Sequence, residues 1–144
     1  MANTLFPNDT LQPGAQLASD EVFDFDGDAG HFFKLVMQQD GNLVLYRHDN
    51  GDNTDGVQWA SNTAGKAVSE CIMQDDGNLV VYSIPPLDPS SKVWASNDPS
   101  KYRIQPMVAN SYAVMQDDGN FVIYPPGSNS ANGTATFATN TVTG

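Results

Sequence analysis

The sequence is short of three things: it has 144 residues but only 1 cysteine, only 6 Lys and Arg, and no apolar run near the ~18 residues that cross a bilayer. A single thiol, Cys71, rules out an intrachain disulfide and points toward a reducing compartment without requiring one. Against 17 acidic residues the basic ones leave a net charge of −11, and they are scattered at Lys34, Arg47, Lys66, Lys92, Lys101 and Arg103. A nucleic-acid binder needs clustered cations to displace counterions from phosphate, so nucleic acid and anionic membrane are excluded as partners, whereas a neutral ligand meets no repulsion. The opening MANTLFPNDT has neither the basic head nor the apolar stretch of a signal peptide. The chain is therefore expected either to start in the cytosol or to be already mature, with the cytoplasm as its expected location.

Helix signals are also missing. What is there instead is punctuation: 12 Gly, 9 Pro and many Asn, Asp and Ser separate short β-rich runs such as FFKLVM, NLVLY, NLVVY, YAVM and NFVIY. Such regular spacing predicts an all-β sandwich, barrel or prism. Within these runs MQQDGNLVLY, MQDDGNLVVY and MQDDGNFVIY repeat one pattern, Gln-x-Asp-x-Asn-x-Val-x-Tyr, beginning at Gln38, Gln74 and Gln116. A second element, WASN at Trp59, WASN at Trp94 and FATN at Phe137, follows each copy at a similar interval. Three copies in one phase mean three structural units in one domain spanning residues 1–144.

Aligning the copies separates core from surface. Side chains two apart on a strand share a face, which puts Gln74, Asp76, Asn78, Val80 and Tyr82 on one side and Met73, Leu79 and Val81 on the other. The Asp76-Gly77 pair is also a hairpin signal that would fold the segment into two short strands and curl its polar groups together; either way a small polar pocket lies beside an apolar layer. The apolar positions align as Leu35/Cys71/Ala113, Met37/Met73/Met115, Leu43/Leu79/Phe121 and Leu45/Val81/Ile123, layers about a pseudo-threefold axis capped by Trp59, Trp94 and Phe137. At roughly 1.5 to 3 kcal/mol per buried side chain this stack supplies most of the stability, so function sits outside it.

Taken together, the three intact motifs and their WASN or FATN partners resemble the bulb-type, snowdrop-agglutinin-like mannose-binding lectins, from about LQPGAQL (11–17) to the end of the chain. The resemblance implies an all-β fold, β-prism II, with three antiparallel four-stranded sheets in pseudo-threefold symmetry. It implies a non-catalytic, multivalent lectin for α-D-mannose and mannose-containing glycans. In that family the Asp and Asn hold the axial 2-hydroxyl, the Gln the 3-hydroxyl and the Tyr the 4-hydroxyl, while the Val packs on the ring. The implied mannose sites are Gln38, Asp40, Asn42, Val44 and Tyr46; Gln74, Asp76, Asn78, Val80 and Tyr82; and Gln116, Asp118, Asn120, Val122 and Tyr124. The tail ATNTVTG (138–144) resembles the segment that crosses between subunits, implying a homodimer through C-terminal strand exchange. Plant members usually carry a disulfide, which this chain does not have. The alternative function is a β-prism used only as a protein-interaction scaffold.

Other chemistries fit poorly. Glycoside cleavage needs two carboxyl groups flanking one bond, ~5 to 9.5 Å apart, whereas each row holds one Asp, with Asp75 and Asp117 expected to point away. No Ser-His-Asp or Cys-His pattern is suggested, so no catalytic residue is expected. His31 and His48 are read as lone surface imidazoles, Trp59 and Trp94 as core, and Cys71 as a small buried side chain. The acidic stretches DFDGD (24–28) and DNGDNTDG (49–56) lack the Gly and carboxylate placement of a calcium loop and are read as solvated turns, so no metal or cofactor is expected. Loops are expected at RHDNGDNTDGVQ, SIPPLDPSSK and PPGSNSANGTAT, and the sequons at Asn8 and Asn132 matter only in a secreted eukaryotic protein.

Overall fold

The computed structural model describes residues 2–83, 91–98, 104–131 and 133–142, and among them the chain forms β-strands and no α-helix. One sheet contains β3 (Gln16–Ala18), β4 (His31–Met37), β5 (Leu43–Asp49) and β6 (Thr54–Ala60), in that order. A second contains β2 (Thr10–Leu11), β7 (Val68–Met73), β8 (Leu79–Ser83) and β9 (Lys92–Ala95), and the third β1 (Thr4–Leu5), β10 (Tyr112–Met115), β11 (Phe121–Tyr124) and β12 (Phe137–Ala138). Every strand pairing is antiparallel. This is the three-sheet prism that the resemblance implies.

Register explains the core. Leu17, Leu35, Leu45 and Trp59 stand side by side across the first sheet, Leu11, Cys71, Val81 and Trp94 across the second, and Leu5, Ala113, Ile123 and Phe137 across the third. All twelve belong to one buried cluster, with Met37, Met73, Met115, Leu43, Leu79 and Phe121. The cap forms as the repeat predicts: Trp59, Trp94 and Phe137 meet edge to face, with ring centroids 5.5, 5.8 and 6.4 Å apart, the geometry that aromatic quadrupoles favour. Cys71 is fully buried and its thiol pKa is pushed up to about 12 by desolvation and then by the charge of Glu70, so it stays protonated inside the core.

The N-terminal segment departs from expectation. It is read only as the start of the resemblance, yet it supplies the fourth strand of every sheet. Asn3, Asp9 and Ala15 each accept a hydrogen bond through the backbone carbonyl from Met115, Met73 and Met37, at 2.8, 3.0 and 3.0 Å, and Ala18 N donates to Ala2 O at 3.0 Å, closing the ribbon into a ring. Leu5, Leu11 and Leu17 thereby add a layer to the core.

Two further features differ from expectation. RHDNGDNTDGVQ is largely strand, because β5 runs to Asp49 and β6 starts at Thr54, leaving a short turn between them. Nor are the histidines lone surface groups. His31 is buried, 3.8 Å from an Asp24 carboxylate oxygen and edge-on to Phe33, while His48 Nδ1 lies 2.6 Å from Asp55 Oδ1. Asp55 also receives Lys34 at 3.1 Å, and its pKa is lowered chiefly by the His48 hydrogen bond. Asp28 Oδ2 and Oδ1 accept from Asp24 N and Gly30 N, so DFDGD is a turn, as expected. Most of SIPPLDPSSK, together with Lys101, Arg103 and Asn132, lies outside the described residues.

Candidate functional site

In every repeat the motif straddles a hairpin rather than a single strand. The Gln precedes a tight turn, the Asp lies in it, the Gly leaves it, and the Val and Tyr sit on the returning strand. Gln38, Gln74 and Gln116 N donate to the carbonyls of Asn42, Asn78 and Asn120 at 2.9, 2.9 and 3.0 Å. The turn needs glycine: Gly41, Gly77 and Gly119 have φ of 96, 95 and 92°, and a Cβ on either of the first two would overlap a backbone carbonyl oxygen, of Lys66 and Val108. Curling the segment brings the five motif side chains of each copy together on the outside of its sheet.

The same hydrogen bonds recur inside each pocket. Asp40, Asp76 and Asp118 Oδ1 accept from the Asn42, Asn78 and Asn120 backbone N–H at 2.9, 2.9 and 3.0 Å, which orients each carboxylate. Each Asn side chain is held in turn by the second element. Asn42 Oδ1 accepts from Ser61 Oγ (3.1 Å) and Thr63 N (3.2 Å), Asn78 Oδ1 from Ser96 Oγ (3.3 Å) and Asn97 N (3.0 Å), and Asn120 Oδ1 from Thr139 Oγ1 (3.2 Å) and Asn140 N (2.9 Å). With Oδ1 occupied, the Nδ2 hydrogens are what each Asn can offer a ligand. Beside them is an acceptor-only carboxylate, exposed in all three copies.

The remaining two polar groups are coupled. Tyr82 and Tyr124 donate their hydroxyls to Gln74 and Gln116 Oε1, and those glutamines donate Nε2 to Asp76 and Asp118 at 3.2 and 3.1 Å. In the first pocket the amide is turned, and Gln38 Nε2 donates to Tyr46 OH at 2.9 Å. The hydroxyls of Tyr82 and Tyr124 have raised pKa values, first through desolvation and then through the nearby charge of Asp76 and of Asp118, so both remain protonated donors. A register shift falls just at the Tyr in the first two sheets, between Leu45 and Tyr46 and between Val81 and Tyr82, a bulge that re-aims this side chain.

Several contributors were not foreseen. Ala60, Ala95 and Ala138 pair with Val44, Val80 and Val122, and the three valines are themselves buried. Ser61, Ser96 and Thr139 fix the asparagines, as above. Both sets lie within WASN, WASN and FATN, whose repetition was read only through its aromatic. The pockets also differ where the copies do not repeat: the Tyr is paired across the sheet with Lys34, with Glu70 and with Tyr112 in turn. Lys34 Nζ stands 5.7 Å from the Tyr46 ring centroid, and Tyr112 lies 5.9 Å from Tyr124. The second pocket is the most enclosed, with Asn78, Val80 and Tyr82 exposed by 5, 0 and 4%. Asp117, expected to point away, shares a cleft with Asp118. Among the described residues no group of three or more His, Cys, Asp and Glu side chains could hold a metal ion.

No protein-family model and no curated protein matches the chain. Solved structures do. A monomeric monocot mannose-binding lectin from Gastrodia elata is 35% identical with a TM-score of 0.62, covering 99% of this chain and 100% of that one. The mannose-specific agglutinin of snowdrop (Galanthus nivalis) bulbs, solved with methyl α-D-mannoside, is 35% identical with a TM-score of 0.53, covering 99% of both. A Japanese Marasmius oreades lectin gives a TM-score of 0.64 at 26% identity, covering 98% of this chain and 92% of that one. Fold and neighbours define a β-prism II lectin, a carbohydrate-binding protein without catalytic activity. The chain belongs to the bulb-type mannose-binding lectin family.

Proposed function

We propose that the protein binds α-D-mannose and mannose-containing glycans through as many as three pockets, formed by Gln38 to Tyr46, Gln74 to Tyr82 and Gln116 to Tyr124. The observation that carries this reading is the clamped asparagine, present in all three copies: its Oδ1 is occupied, so its Nδ2 hydrogens stand beside an exposed carboxylate. A hydroxyl donates and accepts at once, and a donor next to an acceptor suits it without any proton transfer. In this reading the Asp and Asn take the axial 2-hydroxyl, the Gln the 3-hydroxyl and the Tyr the 4-hydroxyl, with the Val against the ring. Glucose, with an equatorial 2-hydroxyl, leaves both groups poorly paired, a loss of about 1 to 3 kcal/mol.

Each hydrogen bond to the sugar replaces one to water and nets only roughly 1 kcal/mol, somewhat more at the carboxylate, so a dissociation constant near ~1 mM, about −4 kcal/mol, is expected per site. Several sites on one glycan surface add on the order of 10² to 10⁴ in avidity. Titration calorimetry with methyl α-mannoside should give about three weak sites per chain, no comparable heat with methyl α-glucoside, and one site fewer in each of Asp40→Asn, Asp76→Asn and Asp118→Asn. Silence of the unaltered protein toward mannoside would end the proposal.

A homodimer by exchange of the C-terminal strand is the proposed route to higher valency. β12 pairs here with β11 of its own chain, Ile123 facing Phe137 and Val122 facing Ala138, and an exchanged copy would make that same register with a partner. Light scattering should then give twice the 15.5 kDa chain mass; a single-chain mass at working concentrations removes this part of the proposal.

A further inference from the structure

The third pocket does not stop at its motif. It opens into a cleft of about 350 Å³ lined by Asn3, Asp20, Gln116, Asp117, Asp118 and Ser130, in the range of roughly 300 to 1,000 Å³ usual for ligand sites. Only Gln116 and Asp118 belong to the motif. The other four residues come from the start of the N-terminal ribbon, the loop after β3, the hairpin turn and the segment between β11 and β12. Two hydrogen bonds hold two of these walls in place: Asp20 N donates to the Asp117 side chain at Oδ1 (2.9 Å), and Met115 N donates to Asn3 O at 2.8 Å.

The groups left over are suited to hydroxyls. The Asp20 carboxylate and the Ser130 hydroxyl make no hydrogen bond among the described residues, and Asn3, whose Oδ1 accepts from Thr4 Oγ1 at 2.7 Å, keeps its Nδ2 hydrogens. Acceptor-only, donor-only and mixed groups thus line one wall, with no cation among them, which favours a neutral polyhydroxylated ligand over a phosphorylated or sulfated one. This wall is not repeated in full elsewhere: where Asn3 receives the Met115 N–H, the equivalent positions are Asp9 and Ala15, and where the third turn has Asp117 the second has Asp75 and the first Gln39.

We propose that this cleft is a second sugar subsite, so that the third pocket takes an oligomannoside of at least two residues, the first ring on Gln116, Asp118, Asn120, Val122 and Tyr124 and the second against Asn3, Asp20 and Ser130. This rests on the mannose reading of the third pocket. The test uses the full chain carrying Asp40→Asn and Asp76→Asn, which leaves the third pocket as the main site, titrated with methyl α-mannoside and with α1,2-, α1,3- and α1,6-linked mannobiose. At least one mannobiose should bind about five- to tenfold more tightly than the monosaccharide, as one or two added hydrogen bonds would give. Asp20→Ala and Ser130→Ala, separately, should each remove about threefold or more of that gain while changing methyl α-mannoside affinity by less than about twofold. Mannobioses that all match the monosaccharide, or variants that weaken both ligands equally, would overturn the subsite. No binding of any mannoside in this background would overturn it together with the mannose reading, a result told apart from the others by the loss of the monosaccharide signal.

Discussion

The asparagine of each motif is the residue on which its pocket turns. Alone on a strand it would rotate, and its amide could present either end to a ligand. Hydrogen bonds to Oδ1 from the second element and the residue just after it remove that freedom, so the pocket is ordered before a sugar arrives and less entropy is lost on binding. The tyrosines set the alkaline limit. Tyr82 and Tyr124 bind their protons more tightly in the folded chain than their ordinary value of 10.0, so the stability they add is complete below that value and is lost as pH rises through the higher folded one. Mannoside binding should therefore be level from about pH 7 to about pH 9 and fall only above about pH 10, followed by calorimetry across that series. A decline already complete by about pH 9 would show that these hydroxyls are not the donors.

Among the elements, the hairpin turn decides whether a pocket exists. Gly77 combines a φ of 95° with a position hard against the Val108 backbone carbonyl, so Gly77→Ala adds a strained backbone to a clash that no side-chain rotation relieves. A loss of at least about 2 kcal/mol is expected, read as a lower denaturant midpoint at unchanged slope, with the second site weakened beyond what stability alone explains. A midpoint like that of the unaltered chain would mean the turn can relax. This turn was legible in the sequence, since Asp-Gly between two apolar runs is a turn signal with a mechanism. The core was legible too, because each position of the layers is filled three times by an apolar residue. The ribbon strands were not: at two or three residues they are too short to show alternation, although Leu5, Leu11 and Leu17 recur every six residues. His31 and His48 were misplaced because their partners, Asp24 and Asp55, are brought to them by turns that composition alone shows only as acidic loops. The cleft beside the third pocket was equally hidden, as its walls are more than ninety residues apart, Asp20 against Asp117.

For the whole molecule, symmetry of the core coexists with difference at the surface. The aromatic cap and the buried layers repeat three times, whereas the residues flanking each tyrosine do not, being a cation, an anion and an aromatic. The core thus fixes three equivalent frames and leaves each free to vary at its rim. The ribbon binds those frames together. Deleting residues 2–11 takes β1 and β2 from two sheets and leaves Met115 and Met73 without their backbone partners, while leaving every motif residue intact. We expect such a chain to lose its cooperative thermal transition and its mannoside binding on all three faces; retention of a normal melting curve would show that the ribbon is dispensable.

Because Ala18 closes back onto Ala2, that thread works as a drawstring around one end of the prism. Slack let in at one sheet is passed along the thread to the other two, so damage far from every sugar-facing group can empty pockets that never touch it.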